Sequence, residues 1–333
     1  MTEDKGRIAA LIVNLGTPEA TDYWSIRRYL KEFLWDRRVV EVPRPVWWLI
    51  LNGIILTFRP KKSGRAYDRI WNKARGESPL KTITRAQAEK LGQSFARSHP
   101  DLIVDWAMRY GKPSIEERIN ALAAQGVDRI LLFPLYPQYS ATTSATVVDK
   151  TAEALMKMRA QPSLRTVPPF PDDPLYIEAL AGSIQAQLED MPEKPEDLLL
   201  SFHGLPQSYV AKGDPYQDHC QRTAAALHKA LGWPDTHFHI AFQSRVGRAE
   251  WLRPYTDETI ANLAKQGVKN LAVITPGFIA DCVETLEEIA IGGRETFRAN
   301  GGENLTCLAC LNDSEPGVAM LHTIITREIS GWA

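Results

Sequence analysis

The sequence lacks a charge of one sign. Lys and Arg number 39 against 40 Asp and Glu, for a formal net charge of -1. No broad basic field is available to gather nucleic acid, and the expected ligand is small and weakly charged. Cysteine is scarce as well. Cys220, Cys282, Cys307 and Cys310 are too few and too irregular for a disulfide framework in 333 residues, which points to a reducing, cytoplasmic setting. Cys307 and Cys310 form a C-x-x-C pair, but zinc and iron–sulfur sites take about four ligands. The other cysteines are distant in sequence, so a bound cluster is not expected.

Long apolar runs are also missing, and none reaches the roughly eighteen residues a membrane span needs. The nearest is Val46–Phe58, VWWLILNGIILTF, interrupted by Asn52 and Gly53 and followed by Arg59, Lys61, Lys62 and Arg65. It reads either as a buried helix or as an apolar lip that takes a greasy substrate and touches a bilayer, since Trp beside basic residues suits an interface. The opening MTEDKGRIAALIVNLG has mixed charges leading into a strand-like run, without the basic start and apolar core of a signal peptide, so export is not expected. No G-x-G-x-x-G or G-x-x-x-x-G-K-[ST] occurs, which weakens a nucleotide enzyme. No G-x-S-x-G elbow exposes a serine nucleophile.

What the chain does have is 44% hydrophobic residues, distributed as short apolar runs that alternate with longer stretches of helical period. That is the pattern of parallel strands joined by crossover helices. Strands are expected at Ile8–Val13, Leu102–Met108 and Arg129–Phe133, and again at Asp197–Ser201, His237–Ser244 and Asn270–Thr275. Helices are expected at Tyr23–Leu34, Ile115–Ala124, Asp218–Leu231 and Asp257–Gln266. Two similar α/β halves result, residues 1–165 and 166–313. Between them Pro162–Pro174, PSLRTVPPFPDDP, concentrates five prolines and reads as a stiff linker. The segment 314–333 has helical period at Val318, Leu321, Ile325 and Ile329 and is expected to pack back across both halves.

In open parallel sheets ligands sit beyond the carboxyl ends of the strands, so the residues just past each strand carry the most information. LLLSFHGLPQSYVAKGDPY, Leu198–Tyr216, runs from a buried strand straight into His203. A lone histidine there is more often structural than catalytic. The punctuation of Gly204, Pro206 and Gly213-Asp214-Pro215 nevertheless implies a positioned side chain. TPGFIADCVETLEEI, Thr275–Ile289, comes after another strand. Asp281, Glu284 and Glu288, spaced three and four apart, would share one face near a helix N-terminus. They read either as a solvated acidic turn that favours the helix dipole or as a path for a divalent cation. LLFPLYPQYSATTSA, Leu131–Ala145, offers Tyr136 and Tyr139 as a pocket wall, to which Arg109, Tyr110 and Trp251 add. Such walls suit a large, flat, apolar ligand with acidic edges.

At these residues the sequence resembles the ferrochelatase family. The match runs through S-F-H-G-L-P with G-D-P-Y, through PGFIADCVETLEEI, and through NLGTPEATDYWSIRRYLKEFLWDRRVVEVPR, FPLYPQYSATT and FQSRVGRAEWLRPYTDETI, covering about Ile8 to Asn312. The resemblance implies two Rossmann-like domains facing a central cleft, and insertion of Fe2+ into protoporphyrin IX as the last step of haem synthesis. It implies His203 and Glu284 as the metal-handling and proton-accepting pair, with Asp281 and Glu288 as a supporting acidic path. Leu15, Arg59, Tyr67, Arg109, Tyr110, Tyr136 and Trp251 would contact the porphyrin. Fe2+ is then a substrate, and no permanently bound cofactor is expected. Relatives with a second histidine in the acidic segment differ here, where Cys282 stands. Cluster-binding members carry cysteines in a C-terminal extension, whereas this chain ends soon after Cys310. Relatives that use coproporphyrin have a Tyr in place of Leu15, so protoporphyrin IX is favoured. A chelatase for a more carboxylated tetrapyrrole would call for more basic pocket residues than Arg59 and Arg109. A porphyrin carrier would have no need of the Asp281, Glu284 and Glu288 face.

Overall fold

Six consecutive apolar residues, Ile8–Val13, are buried, and Ala9–Val13 have no exposed surface at all. A strand can be apolar on both faces only where helices cover both sides of its sheet, and this is the condition of a parallel sheet. In the computed structural model, which describes residues 6–247 and 249–332, that condition is met twice. The chain divides into two compact units. One comprises Met1–Tyr136, Ala141–Pro168 and Leu321–Ala333, and the other Pro137–Ser140 and Pro169–Met320.

The first unit runs β1 (Arg7–Gly16), α1 (Tyr23–Trp35), α2 (Arg44–Ile50), α3 (Leu56–Ile70), α4 (Pro79–Phe95), β2 (Ile103–Tyr110), α5 (Ile115–Ala124), β3 (Val127–Pro134), α6 (Thr146–Leu155) and β4 (Ser163–Thr166). Its four strands are parallel, in the order β2-β1-β3-β4. The second unit runs α7 (Pro174–Glu189), β5 (Asp197–His203), α8 (Gln207–Ala211), α9 (Tyr216–Leu231), β6 (Phe238–Gln243), α10 (Thr256–Lys265), β7 (Asn270–Ile274), α11 (Arg294–Ala299) and β8 (Asn304–Cys307), then enters α12 (Glu315–Glu328), whose residues from Leu321 onward belong to the first unit. Its parallel order, β6-β5-β7-β8, repeats the first. The expected architecture of two parallel sheets flanked by helices is therefore present.

Local signals place the helix starts. Asp22 caps α1 by accepting from the N–H groups of Trp24 and Ser25. Ser114 and Glu117 form a capping box on α5, and Asp173 caps α7 ahead of Pro174. Each satisfies amides that a helix leaves without partners at its start. At the far end of the chain, Leu321, Ile325 and Ile329 are buried. Arg165 donates to the carbonyls of Glu328 and Ser330, and Arg129 to that of Trp332.

Two expectations need correction. The proline-rich stretch is not linker throughout, because Ser163–Thr166 pairs with β3 as the edge strand β4. An edge strand needs only one bonded side and can be four residues long, which hides it from periodicity. Likewise Val46–Phe58 is not a buried helix. Trp47, Leu51 and Leu56 are buried, but Val46, Trp48, Leu49, Ile54 and Phe58 are exposed, Phe58 by 72%. The apolar residues circle the helix, and only one side of it meets core.

Gly16 ends β1 at φ 111°, where an added Cβ would lie 1.8 Å from the carbonyl oxygen of Tyr110. Both the backbone angle and the neighbouring main chain exclude a side chain there. Gly16→Ala is expected to cost about 2 kcal/mol or more, read as a lowered denaturation midpoint. An unchanged midpoint would contradict this account.

Candidate active site

The order β6-β5-β7-β8 reverses direction between β5 and β7, and the carboxyl ends of these two strands form the switch point at which such sheets bind ligands. His203 ends β5, and the acidic segment lies just beyond β7. The topology alone therefore brings the two richest sequence segments to one place.

His203 is half-buried, at the end of a strand otherwise shielded from solvent. Its Nδ1 lies 2.7 Å from the carbonyl oxygen of Gly204. A carbonyl only accepts, so Nδ1 carries the hydrogen, and Nε2 is the ring nitrogen left for chemistry. The Tyr216 hydroxyl donates to the His203 carbonyl at 2.9 Å, and Phe278 meets the imidazole edge-on. Asp214 caps the first turn of α9 through the Tyr216 N–H and accepts from Ser140. The G-D-P-Y segment thus secures the histidine's backbone from behind. Gly204 is required by crowding rather than by a left-handed turn. A Cβ would stand 2.6 Å from the Gln243 carbonyl oxygen and 3.0 Å from the Trp251 ring. Trp251 consequently packs beside the histidine strand end, with its indole N–H on the carbonyl of Val246.

The acidic segment departs from expectation. Glu284–Gly293 is a π-helix, a wide turn often found at functional sites. Glu284 and Glu288 lie in it, whereas Asp281 precedes it and does not share their face. Asp281 is buried, and its two oxygens accept from Thr285 and Asn312. Its role in the fold is to tie the helix start to the Asn312 turn. Glu288 accepts from both the backbone N–H and the hydroxyl of Ser244, which holds a left-handed φ of 65°. Gln243 donates to the Glu284 carbonyl at 2.9 Å. Burial raises the Glu288 carboxyl above its usual range, the Ser244 bonds and the nearby His203 draw it back down, and Glu284 raises it further. Glu288 therefore feels both His203 and Glu284.

In the first unit, Leu15 and Tyr136 stand at the ends of β1 and β3, half-buried, and Tyr136 packs on the core of that sheet. Tyr67 is buried between Tyr29 and Trp71, edge-on to both rings. Arg59 is half-buried on α3. Arg109 and Tyr110 are turned inward instead. Arg109 pairs with Asp36 and lies over the Tyr110 ring, and the Tyr110 hydroxyl donates to the same carboxylate at 3.0 Å. Tyr110 has no exposed surface. Their polar ends are committed to a buried ion pair.

Gln243, Ser244 and Tyr216 were not singled out from the sequence. Gln243 and Ser244 stand at the carboxyl end of β6, and that position, where open sheets meet their ligands, is the signal that marks them. Only the third dimension shows the Tyr216 hydroxyl beneath His203.

In fold the chain is similar to a solved structure of SirB from Bacillus subtilis with Fe3+, at 11% identity and a TM-score of 0.57, with 98% of this chain and 96% of that one covered. The similarity shows the fold alone, two parallel sheets flanked by helices. Sequence goes further. The ferrochelatase family model matches residues 7–329. Ferrochelatase of Chelativorans sp. (strain BNC1) is 56% identical over 328 residues, 98% of this chain and 93% of the relative. That of Agrobacterium fabrum is 55% identical over 327 residues, 98% and 95%. The chain belongs to the ferrochelatase family.

A carboxyl whose pKa is raised on folding binds its proton more tightly in the native state, so its ionisation erodes stability as pH rises. For Glu288 the loss begins as pH climbs past the ordinary value of 4.5 and levels off once the native group has ionised. The stability of wild type minus that of Glu288→Gln should therefore fall over that interval in paired melts across pH. A difference independent of pH would refute the raised carboxyl.

Proposed function

We propose that this chain inserts Fe2+ into protoporphyrin IX to form protohaem, releasing two protons. The observation that supports it most is the Nδ1 bond of His203 to Gly204, which leaves Nε2 for chemistry, together with a Glu288 carboxyl that feels both His203 and Glu284. A porphyrin must lose two pyrrole protons and bend its ring before a metal can enter. His203 Nε2 takes a pyrrole proton, since an imidazole is a competent base near neutral pH. Glu288, with its raised carboxyl, receives a proton more readily than an ordinary glutamate, and Glu284 shares the incoming ion with His203 before the Nε2 lone pair is given over to the pyrrole proton. Oxygen and imidazole donors both accept Fe2+, and imidazole binds it more strongly. Iron enters as a substrate, and no resident cofactor is needed. Trp251, Leu15, Arg59, Tyr67 and Tyr136 are the proposed porphyrin contacts.

The setting is the cytoplasm, with the exposed residues of α2 and α3 resting on the inner face of the membrane. Val46, Trp48, Leu49 and Phe58 are exposed beside Lys61, Lys62 and Arg65, a pairing that favours an anionic lipid surface. No helix among the described residues is long and apolar enough to cross a membrane, so the contact proposed is peripheral. Each buried apolar side chain adds about 1.5–3 kcal/mol. Trp48→Asp with Phe58→Asp should therefore cut sedimentation with phosphatidylglycerol vesicles at least about tenfold. Equal sedimentation would remove the membrane from the proposal.

His203→Ala should lower iron insertion by about a hundredfold to ten-thousandfold, while protoporphyrin binding, followed by fluorescence under anaerobic conditions, persists. Glu284→Gln, nearly isosteric, should leave the melting temperature almost unchanged and sharply reduce turnover. A His203→Ala variant with more than about half of wild-type turnover could not have lost a positioned base. Normal turnover with reduced stability in Glu284→Gln would return the acidic segment to a helix-dipole role.

A further inference from the structure

Gln243 ends β6, is 3% exposed and joins the two halves of the site. It pairs in register with His203, and its carbonyl accepts the Gly204 N–H at 2.7 Å. Its side-chain Nε2 donates to the Glu284 carbonyl at 2.9 Å and stands 3.4 Å from Glu288 Oε2. Its Oε1 accepts from the Ser201 hydroxyl at 2.7 Å, and that hydroxyl is 2.8 Å from the one on Thr256. The amide has one orientation, because the Glu284 carbonyl can only accept and must face the nitrogen. A leucine would fill similar space without burying an amide that costs about 1–3 kcal/mol when any bond is lost. Stability alone does not call for glutamine here.

We infer that Gln243 is a positioning residue for metal insertion, setting where the π-helix carries Glu284 and Glu288 relative to His203. It touches neither iron nor porphyrin. The inference rests on the iron-insertion reading. Fixed geometry between acid, base and incoming ion is worth about a hundredfold in rate for a misplacement near 1 Å, and one buried side chain here governs that geometry from the strand side.

The test compares wild type, Gln243→Leu and Ser201→Ala in anaerobic insertion of Fe2+ into protoporphyrin IX. Gln243→Leu should lose about tenfold to a hundredfold in kcat with KM for either substrate changed less than about twofold. Ser201→Ala, which leaves the amide free to turn, should lose less in the same sense. In a Glu284→Gln background the added Gln243→Leu change should cost little more, because the two act as a unit. That non-additivity is not expected of a residue that only stabilises the fold. If Gln243→Leu fails to fold, Gln243→Asn replaces it, with its amide one methylene short of the Glu284 carbonyl. Wild-type kcat in the folded variants, or full additivity with Glu284→Gln, overturns the inference alone. A wild type that inserts no iron overturns the functional reading and this inference with it.

Discussion

The parallel register of β5 on β6 is the constraint on which the site depends. It sets His203 opposite Gln243 and leaves so little room that Gly204 must lack a side chain. From that single close approach come the exit of the chain past the imidazole, the seating of Trp251 against the glycine, and the reach of the Gln243 amide toward the acidic helix. A one-residue slip would turn His203 to the other face of the sheet, since side chains alternate along a strand. The buried length of β5, Asp197 to Phe202, makes such a slip expensive.

The two sheets have the same strand order, yet the candidate catalytic residues stand at the ends of only one. The ends of β5 and β7 carry the histidine and the carboxylates, while the corresponding ends of β1 and β3 carry Leu15 and Tyr136. A repeated topology supplies equivalent sites, and side chains decide their use. The first unit has taken its charged residues inward. Arg109 and Asp36, about a tenth exposed each, hold the end of β2 against the end of α1, and a buried pair of this kind destabilises strongly if one partner is removed.

Much of this was legible in the sequence, for identifiable reasons. Central parallel strands are nearly continuous apolar runs, so β1, β3, β5 and β7 announced themselves, and the residues just past β5 and β7 are the ones that meet. Edge strands β4 and β8 went unread because four residues between prolines and polar turns leave no period to detect. The bonds of Arg109 and Tyr110 to Asp36 were not legible, because a polar pair after a strand has the same pattern whether or not a buried aspartate waits opposite it. The π-helix could not be foreseen either. The spacing of Asp281, Glu284 and Glu288 fits an α-helix, and only the observed winding separates Asp281 from the other two.

The cysteines bear on iron from another direction. Cys220, Cys282 and Cys310 are buried, and burial pushes their thiols well above the ordinary range, with Cys307 raised to about 12. Thiolate, not thiol, is the form that ligates soft metals and reacts with oxidants. The chain therefore keeps its four cysteines in the thiol form, which neither ligates soft metals nor reacts readily with oxidants.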